Sequence, residues 1–281
     1  MTGANAEHRR ALPFLRWAGG KSWLAPKLAE LFPNLEPARY LEPFLGSGAV
    51  FFGLRPESAT LSDLNADLIN AYEMVRDQPH ELVAVLGSMK AGRESYYRVR
   101  KSHPQTPLRR AARFLYLNRL GFNGIYRVNR QGVYNVPFGG HDRKLQFFWH
   151  DDRLLLASKA LSGVELRVAD FSEVLASAGA GDLAYCDPVY LVRSVGESFS
   201  RYTHTPFDQG DLRRLGSAVD GAVQRGAVIA LSWPSGTRLD GFPKPRRDLR
   251  LERQSTVSAR ATAATRRVER LVLFGDPSSV R

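Results

Sequence analysis

The residues best suited to chemistry are Asp187-Pro188-Val189-Tyr190, which close the apolar run Leu183-Ala184-Tyr185-Cys186. A carboxylate, a backbone carbonyl leading into a turn and an aromatic ring are what a reaction at an exocyclic amine such as adenine N6 requires. That nitrogen is a poor nucleophile, because its lone pair is delocalised into the ring. A carboxylate and a carbonyl accepting its two N–H bonds favour a more tetrahedral nitrogen, and an aromatic face stacks on a base rotated out of its duplex. An isolated D-P-x-Y is better explained as an acidic turn after a buried strand. The rest of the chain has to decide.

A second candidate is Gly46-Ser47-Gly48, which follows a short apolar segment and opens a helical one. Such a turn lets a ligand approach the backbone at the carboxyl end of a parallel strand. Asp63 ends the next apolar segment, where an acid hydrogen-bonds ribose hydroxyls in nucleoside-binding folds or caps the following helix. Gly19-Gly20-Lys21-Ser22 is not a P-loop, because Leu15 stands where the first glycine belongs. The six histidines show no metal-ligand spacing. Cys186, the one cysteine, excludes a disulfide framework and a cysteine-based metal site, and reads as a buried strand residue.

These residues need a parallel sheet to position them. Residues 38–44, 59–63, 164–168, 183–186, 227–232 and 270–274 read as strands, and 49–54, 66–76, 81–89, 109–120 and 145–161 as helical. Strand, glycine turn, helix and acid-ended strand make a βαβ unit. Residues 121–140 hold five glycines and no long periodicity, so they read as a loop or hairpin. The expected fold class is α/β: a Rossmann-like sheet formed by residues 1–71 and 163–281, interrupted by a mostly helical insert at 72–162.

The 281 residues carry a net charge of +12, which points to a polyanionic partner, nucleic acid first. Residues 90–130 hold eleven Lys or Arg against one acid, Glu94, with Phe114, Tyr116, Phe122 and Tyr126 interleaved. That mixture suits phosphate contact plus base stacking. No run of about 18 apolar residues suggests a membrane span, and the polar start at residues 1–10 does not read as a secretory signal. Reducing cytosol is the expected compartment.

Taken in order, the motifs resemble the Dam family of S-adenosylmethionine-dependent DNA adenine-N6 methyltransferases, the D12 class. They are Phe14-Leu15-Arg16-Trp17-Ala18-Gly19-Gly20-Lys21, Glu42-Pro43-Phe44-Leu45-Gly46-Ser47-Gly48-Ala49-Val50-Phe51, Ser62-Asp63-Leu64-Asn65 and Tyr116-Leu117-Asn118-Arg119-Leu120-Gly121-Phe122-Asn123-Gly124. Asn135-Val136-Pro137-Phe138-Gly139, Asp187-Pro188-Val189-Tyr190 and Phe199-Ser200-Arg201-Tyr202 complete the series. The resemblance implies a methyltransferase sheet with an inserted target-recognition domain carrying a DNA-binding hairpin. S-adenosylmethionine would be the donor, S-adenosylhomocysteine the product, and no metal would be needed. Double-stranded DNA would be the partner, with no membrane and no obligate protein partner, and a cytoplasmic, nucleoid-associated location. Trp17, Lys21, Phe44, Gly46, Gly48, Asp63, Asp170, Phe171 and Asp187 would bind the cofactor, with Phe44 and the glycine turn at its methionine part, Asp63 at its ribose, and Asp170 and Phe171 bracketing its adenine. Asp187, the Pro188 carbonyl and Tyr190 would hold the target adenine. Phe122 and Asn123 would form a wedge beside it. Arg127 and Arg16 would read the two guanines, Ile125 and Pro137 a thymine methyl, and Arg119 and Asn129 would complete the DNA contacts. The implied target is GATC.

Three positions depart from the family pattern. Val189 replaces a second proline, Trp233-Pro234 follows Ser232 where an Asn is usual, and Arg270 stands where an acid precedes the last apolar strand, with Glu269 one residue earlier. A different reading of these departures is a catalytically weak or inactive DNA-binding protein that keeps the fold and cofactor pocket.

Overall fold

The computed structural model describes residues 10–17, 19–32, 36–129, 131–140, 145–148, 152–188, 207–254 and 266–280. Val189, Tyr190 and the segment Phe199-Ser200-Arg201-Tyr202 lie outside the described residues.

Seven strands form one sheet: β1 (Arg39–Glu42), β2 (Ala59–Asp63), β3 (Glu165–Val168), β4 (Asp182–Cys186), β5 (Val228–Pro234), β6 (Arg247–Gln254) and β7 (Arg266–Phe274). Their order is β3-β2-β1-β4-β5-β7-β6. The first five are mutually parallel. β7 is antiparallel to both β5 and β6. Side chains alternate between the faces. Tyr40, Leu183, Tyr185, Val228 and Ala230 enter one apolar cluster, while Leu41, Ala184, Cys186, Ile229 and Leu231 enter the other. Both faces must therefore be covered, as parallel sheets require. The first face packs helices α1 (Leu24–Leu31), α2 (Ala49–Leu54), α3 (Ala66–Asp77), α4 (Pro79–Ser88), α5 (Arg93–Lys101), α6 (Pro107–Leu120) and α7 (Arg153–Leu161). The second packs α8 (Phe171–Ala176) and α9 (Gln209–Gln224). This is a Rossmann-like α/β fold. From β1 the chain moves outward through β2 and β3, then returns to β4 on the other side. The reversal lies between β1 and β4, where such sheets bind ligands at their carboxyl ends.

Helices α3 to α7 and a hairpin lie between β2 and β3. Asn65 caps α3 through Asp67 and Leu68 N–H, and Thr106 with Pro107 starts α6. The hairpin pairs Gly121 with Phe138 and Val128 with Tyr134, antiparallel. Asn129 closes its turn, accepting from Gln131 and Val133 N–H at 3.0 and 2.9 Å.

Some elements differ from the sequence reading. The helix expected over 145–161 is a 3-10 turn, Leu145–Phe148, followed by a separate α7 behind Asp152, whose φ of 52° breaks any continuous helix. The final strand begins four residues earlier than expected, because β6 pairs with its first half. α9 and β6 were not foreseen. α9 carries the capping box of Asp208 and Asp211, and Leu212, Leu215, Val219 and Ala222 recur along it at helical spacing, so its signal is present in the sequence. β6 is a strand rich in charged residues at the sheet edge, a composition that discourages pairing with other chains.

Candidate active site

The turn after β1 crosses the switch point. Gly46 has φ 48°, and a Cβ on it would meet the Trp17 indole at 2.7 Å, so only glycine fits. Gly48, also left-handed, starts α2. Asp63, buried at the end of β2, accepts from Gly46 N–H at 3.1 Å and Asn65 N–H at 3.0 Å. One of these bonds falls on each carboxylate oxygen. Tyr72 O–H donates to the Gly46 carbonyl at 3.1 Å.

Across the switch point, Asp187 directly follows β4, with buried Pro188 beside it. Lys21, 4% exposed, donates to the Gly19 carbonyl at 3.1 Å and places Nζ 3.0 Å from Asp187 Oδ2 and 3.6 Å from Glu269 Oε2. One ammonium thus bridges two carboxylates that come from different parts of the chain. Glu269 reaches this cluster because it pairs with Pro234 across β5 and β7. Arg270, paired with Trp233, points to the opposite face. There Arg270 donates to Asp248 at 3.0 and 2.5 Å and to the Thr237 carbonyl at 2.6 Å. The one-residue offset at Glu269 therefore keeps an acid facing the cluster.

The sequence pattern alone gives Glu42 no role. It is buried at the end of β1, where Oε2 accepts from Tyr40 O–H at 2.8 Å and Phe51 N–H at 3.1 Å. Burial is the main cause that pushes its carboxyl up to about 8, against its two donors and with a small push from Asp187. A raised folded-state pKa gives stability that is complete below the unfolded value, near 4.5, and is lost as pH rises toward 8. Glu42→Gln removes that titration. Its Tm relative to the unchanged protein is expected to climb between pH 5 and 8.5 by on the order of 5 °C. A pH-independent difference in scanning calorimetry would refute this.

Aromatic rings flank the turn. Trp17 stacks on Tyr126 at 6.0 Å and 19° and lies 6.4 Å from Phe114. Phe44 stacks on Phe171 at 5.4 Å and 23°. Asp170 caps α8 through Ser172 N–H. Phe171 is buried rather than open.

The hairpin gathers the remaining candidates. Phe122, 45% exposed, Asn123 at φ 52° and exposed Pro137 meet where Phe122 N–H donates to the Pro137 carbonyl at 2.9 Å. Arg16 joins them. A Cβ on Gly124 would sit 2.3 Å from the Arg16 Cβ, and φ 64° makes Gly124 left-handed. Buried Asn118, whose role the sequence does not signal, pins the Arg16 backbone from both sides, accepting its N–H at 3.0 Å and donating to its carbonyl at 2.7 Å. Arg127 Nε donates to Asn135 Oδ1 at 2.8 Å. Ile125 is half-buried, and Arg119 lies in the last turn of α6. Among the described residues no group of His, Cys, Asp and Glu could hold a metal, and no helix is long and apolar enough to cross a membrane.

A family model, D12 class N6 adenine-specific DNA methyltransferase, matches residues 17–227. The chain belongs to that class. A type II methyltransferase, M1.LlaDCHI of Lactococcus lactis subsp. cremoris, is 31% identical over 270 residues, covering 92% of this chain and 94% of the relative. The DNA adenine methylase of Vibrio cholerae is 34% identical over 226 residues (78% and 80%). That of Escherichia coli strain K12 is 33% identical over 225 residues (78% and 79%). Within this D12-class chain, Trp233 is a core residue. It is 6% exposed and packs on Phe242 at 5.6 Å, in the cluster opposite the face that holds Lys21 and Glu269. Burial also pushes the Cys186 thiol well up, which makes it inert as a nucleophile.

Proposed function

We propose that this protein methylates N6 of an adenine rotated out of double-stranded DNA, with S-adenosylmethionine as donor and GATC as target. The observation that carries the reading is the cluster at the switch point. Asp187 follows β4, the parallel neighbour of the strand that leads into the Gly46 turn, and Lys21 holds it there together with Glu269.

The residues fit the donor. Glycine at position 46 lets the Trp17 indole lie directly against the turn, where it would border the cofactor. Asp63, at the carboxyl end of the neighbouring strand, would accept from ribose hydroxyls. When bound, S-adenosylmethionine supplies an electrophilic methyl group on a positively charged sulfur. Asp187 would accept one N6–H of the target adenine and the Pro188 carbonyl the other, which localises the nitrogen lone pair. Lys21 fixes the Asp187 carboxylate, so little reorganisation is needed as charge develops. Tyr190 would stack on the extruded base.

The exposed pair Phe122 and Asn123 would fill the space that base vacates. Arg127, fixed by Asn135, and Arg16, fixed by Asn118, would donate to guanine O6 and N7. The other basic residues of the insert would neutralise phosphates without reading sequence.

Purified protein with methyl-labelled S-adenosylmethionine is expected to label a GATC duplex. Replacing either guanine should cut kcat/KM by about tenfold or more. Equal labelling of GATC and scrambled duplexes would remove the GATC assignment, and labelling at cytosine would remove the N6 assignment.

A further inference from the structure

We propose that Arg214 is a positioning residue for the purine end of the cofactor, acting through Asp170 and Phe171. The inference rests on the reading that S-adenosylmethionine is the donor. Asp63 and Asp170 stand at the carboxyl ends of the neighbouring strands β2 and β3, where Asp63 pairs in register with Val168. Leu64 and Val168 beside them are 54% and 55% exposed. Two apolar side chains open to solvent between two carboxylates offer an apolar rest with hydrogen-bond acceptors at either end. That chemistry suits a nucleoside whose sugar and base both carry donors.

Arg214 comes from the first turns of α9 and ties this edge together. Its Nη2 donates to Asp170 Oδ1 at 2.5 Å and to Ser172 Oγ at 3.2 Å. Its Nη1 donates to Asp211 Oδ1 at 2.8 Å, inside the capping box of α9. Its guanidinium carbon lies 5.0 Å from the centre of the Phe171 ring, which also stacks on Phe44.

All three donors to Asp170 fall on one oxygen. Ser172 N–H, Ser172 Oγ and Arg214 Nη2 converge on Oδ1, and among the described residues Oδ2 has no partner. A carboxylate held by one oxygen presents the other as a fixed acceptor. An ionised carboxylate accepts only, so it takes the 6-amino group of adenine and rejects the 6-oxo group of hypoxanthine. Three donors on Oδ1 orient the group, and Arg214 provides the charged one.

The test compares the full-length protein with Arg214→Ala and Arg214→Lys, titrating S-adenosylhomocysteine and S-inosylhomocysteine by calorimetry. Unchanged protein is expected to prefer the adenine compound. Arg214→Ala should weaken S-adenosylhomocysteine by about tenfold and shrink the preference between the two. Its KM for S-adenosylmethionine should rise while kcat on DNA stays within about twofold. Arg214→Lys, which keeps a charge at Asp170, should recover part of the preference. If Arg214→Ala binds S-adenosylhomocysteine as well as or better than the unchanged protein, the proposal is overturned, because the guanidinium then merely occupies space the purine takes. An equal loss for both compounds, with the preference intact, also overturns it and leaves only a scaffold role. Unchanged protein that binds neither compound overturns the donor reading itself, whatever the variants do.

Discussion

Changing Asp187 to alanine is expected to lower the single-turnover rate of methyl transfer on a GATC duplex by on the order of 10³-fold. The carboxylate directly follows β4 at the switch point, and Lys21 holds it at 3.0 Å. Its removal takes away an oriented acceptor that the incoming amine needs as its lone pair localises. The loss should fall on kcat, with KM for S-adenosylmethionine changed less than about threefold, because Asp63, Asp170 and the Gly46 turn remain. Asp187→Asn keeps the shape and one acceptor and should retain more activity than alanine. Rapid-quench measurement of N6-methyladenine checks both. A variant within tenfold of the unchanged protein would show that Asp187 is not at the reacting centre.

Lys21→Met is the second large effect. Lys21 is nearly inaccessible, and its nitrogen lies within 3.6 Å of both Asp187 and Glu269. Methionine fills similar volume but leaves two largely buried carboxylates around one site without their shared cation. Breaking such a cluster costs about 3 kcal/mol in stability, equivalent to roughly 6–10 °C in Tm for a chain of this size. The rate should fall by about 10²-fold, because Asp187 loses the group that orients it. If Glu269 contributes through the same ammonium, Glu269→Gln on top of Lys21→Met should restore part of the lost Tm by removing one of the two like charges. Thermal scans of the single and double variants separate the cases. Additive losses would show that Glu269 acts independently of Lys21.

The chemistry was more legible in the sequence than the contacts that support it. Asp187, Gly46 and Asp63 declared themselves because each ends or follows an apolar segment, and a parallel sheet puts such ends together. The two-sided alternation of β1, β4 and β5 follows from their apolar runs. The partners of Lys21 were not legible, since an ion pair between residues far apart in the chain leaves no local pattern. Arg270 drew notice as a wrong residue at an acidic position, yet strand register alone shows that Glu269 faces the cluster while Arg270 grips Asp248. Trp233 read as a departure near the site, but it is core packing against Phe242. Asn118 and Arg214 look like ordinary helical residues, and only their tertiary partners reveal what they position. β6 escaped notice because an exposed edge strand is charged where a core strand is apolar.

The most direct measurement is sequencing of modified bases after incubating a randomised duplex library with the purified protein and S-adenosylmethionine. The expected result is N6-methyladenine concentrated in GATC and absent from an Asp187→Ala control. Modified adenine no more frequent than in that control, or methyl groups on another base, would contradict assignment of the cluster around Asp187 as an adenine-N6 methylation site.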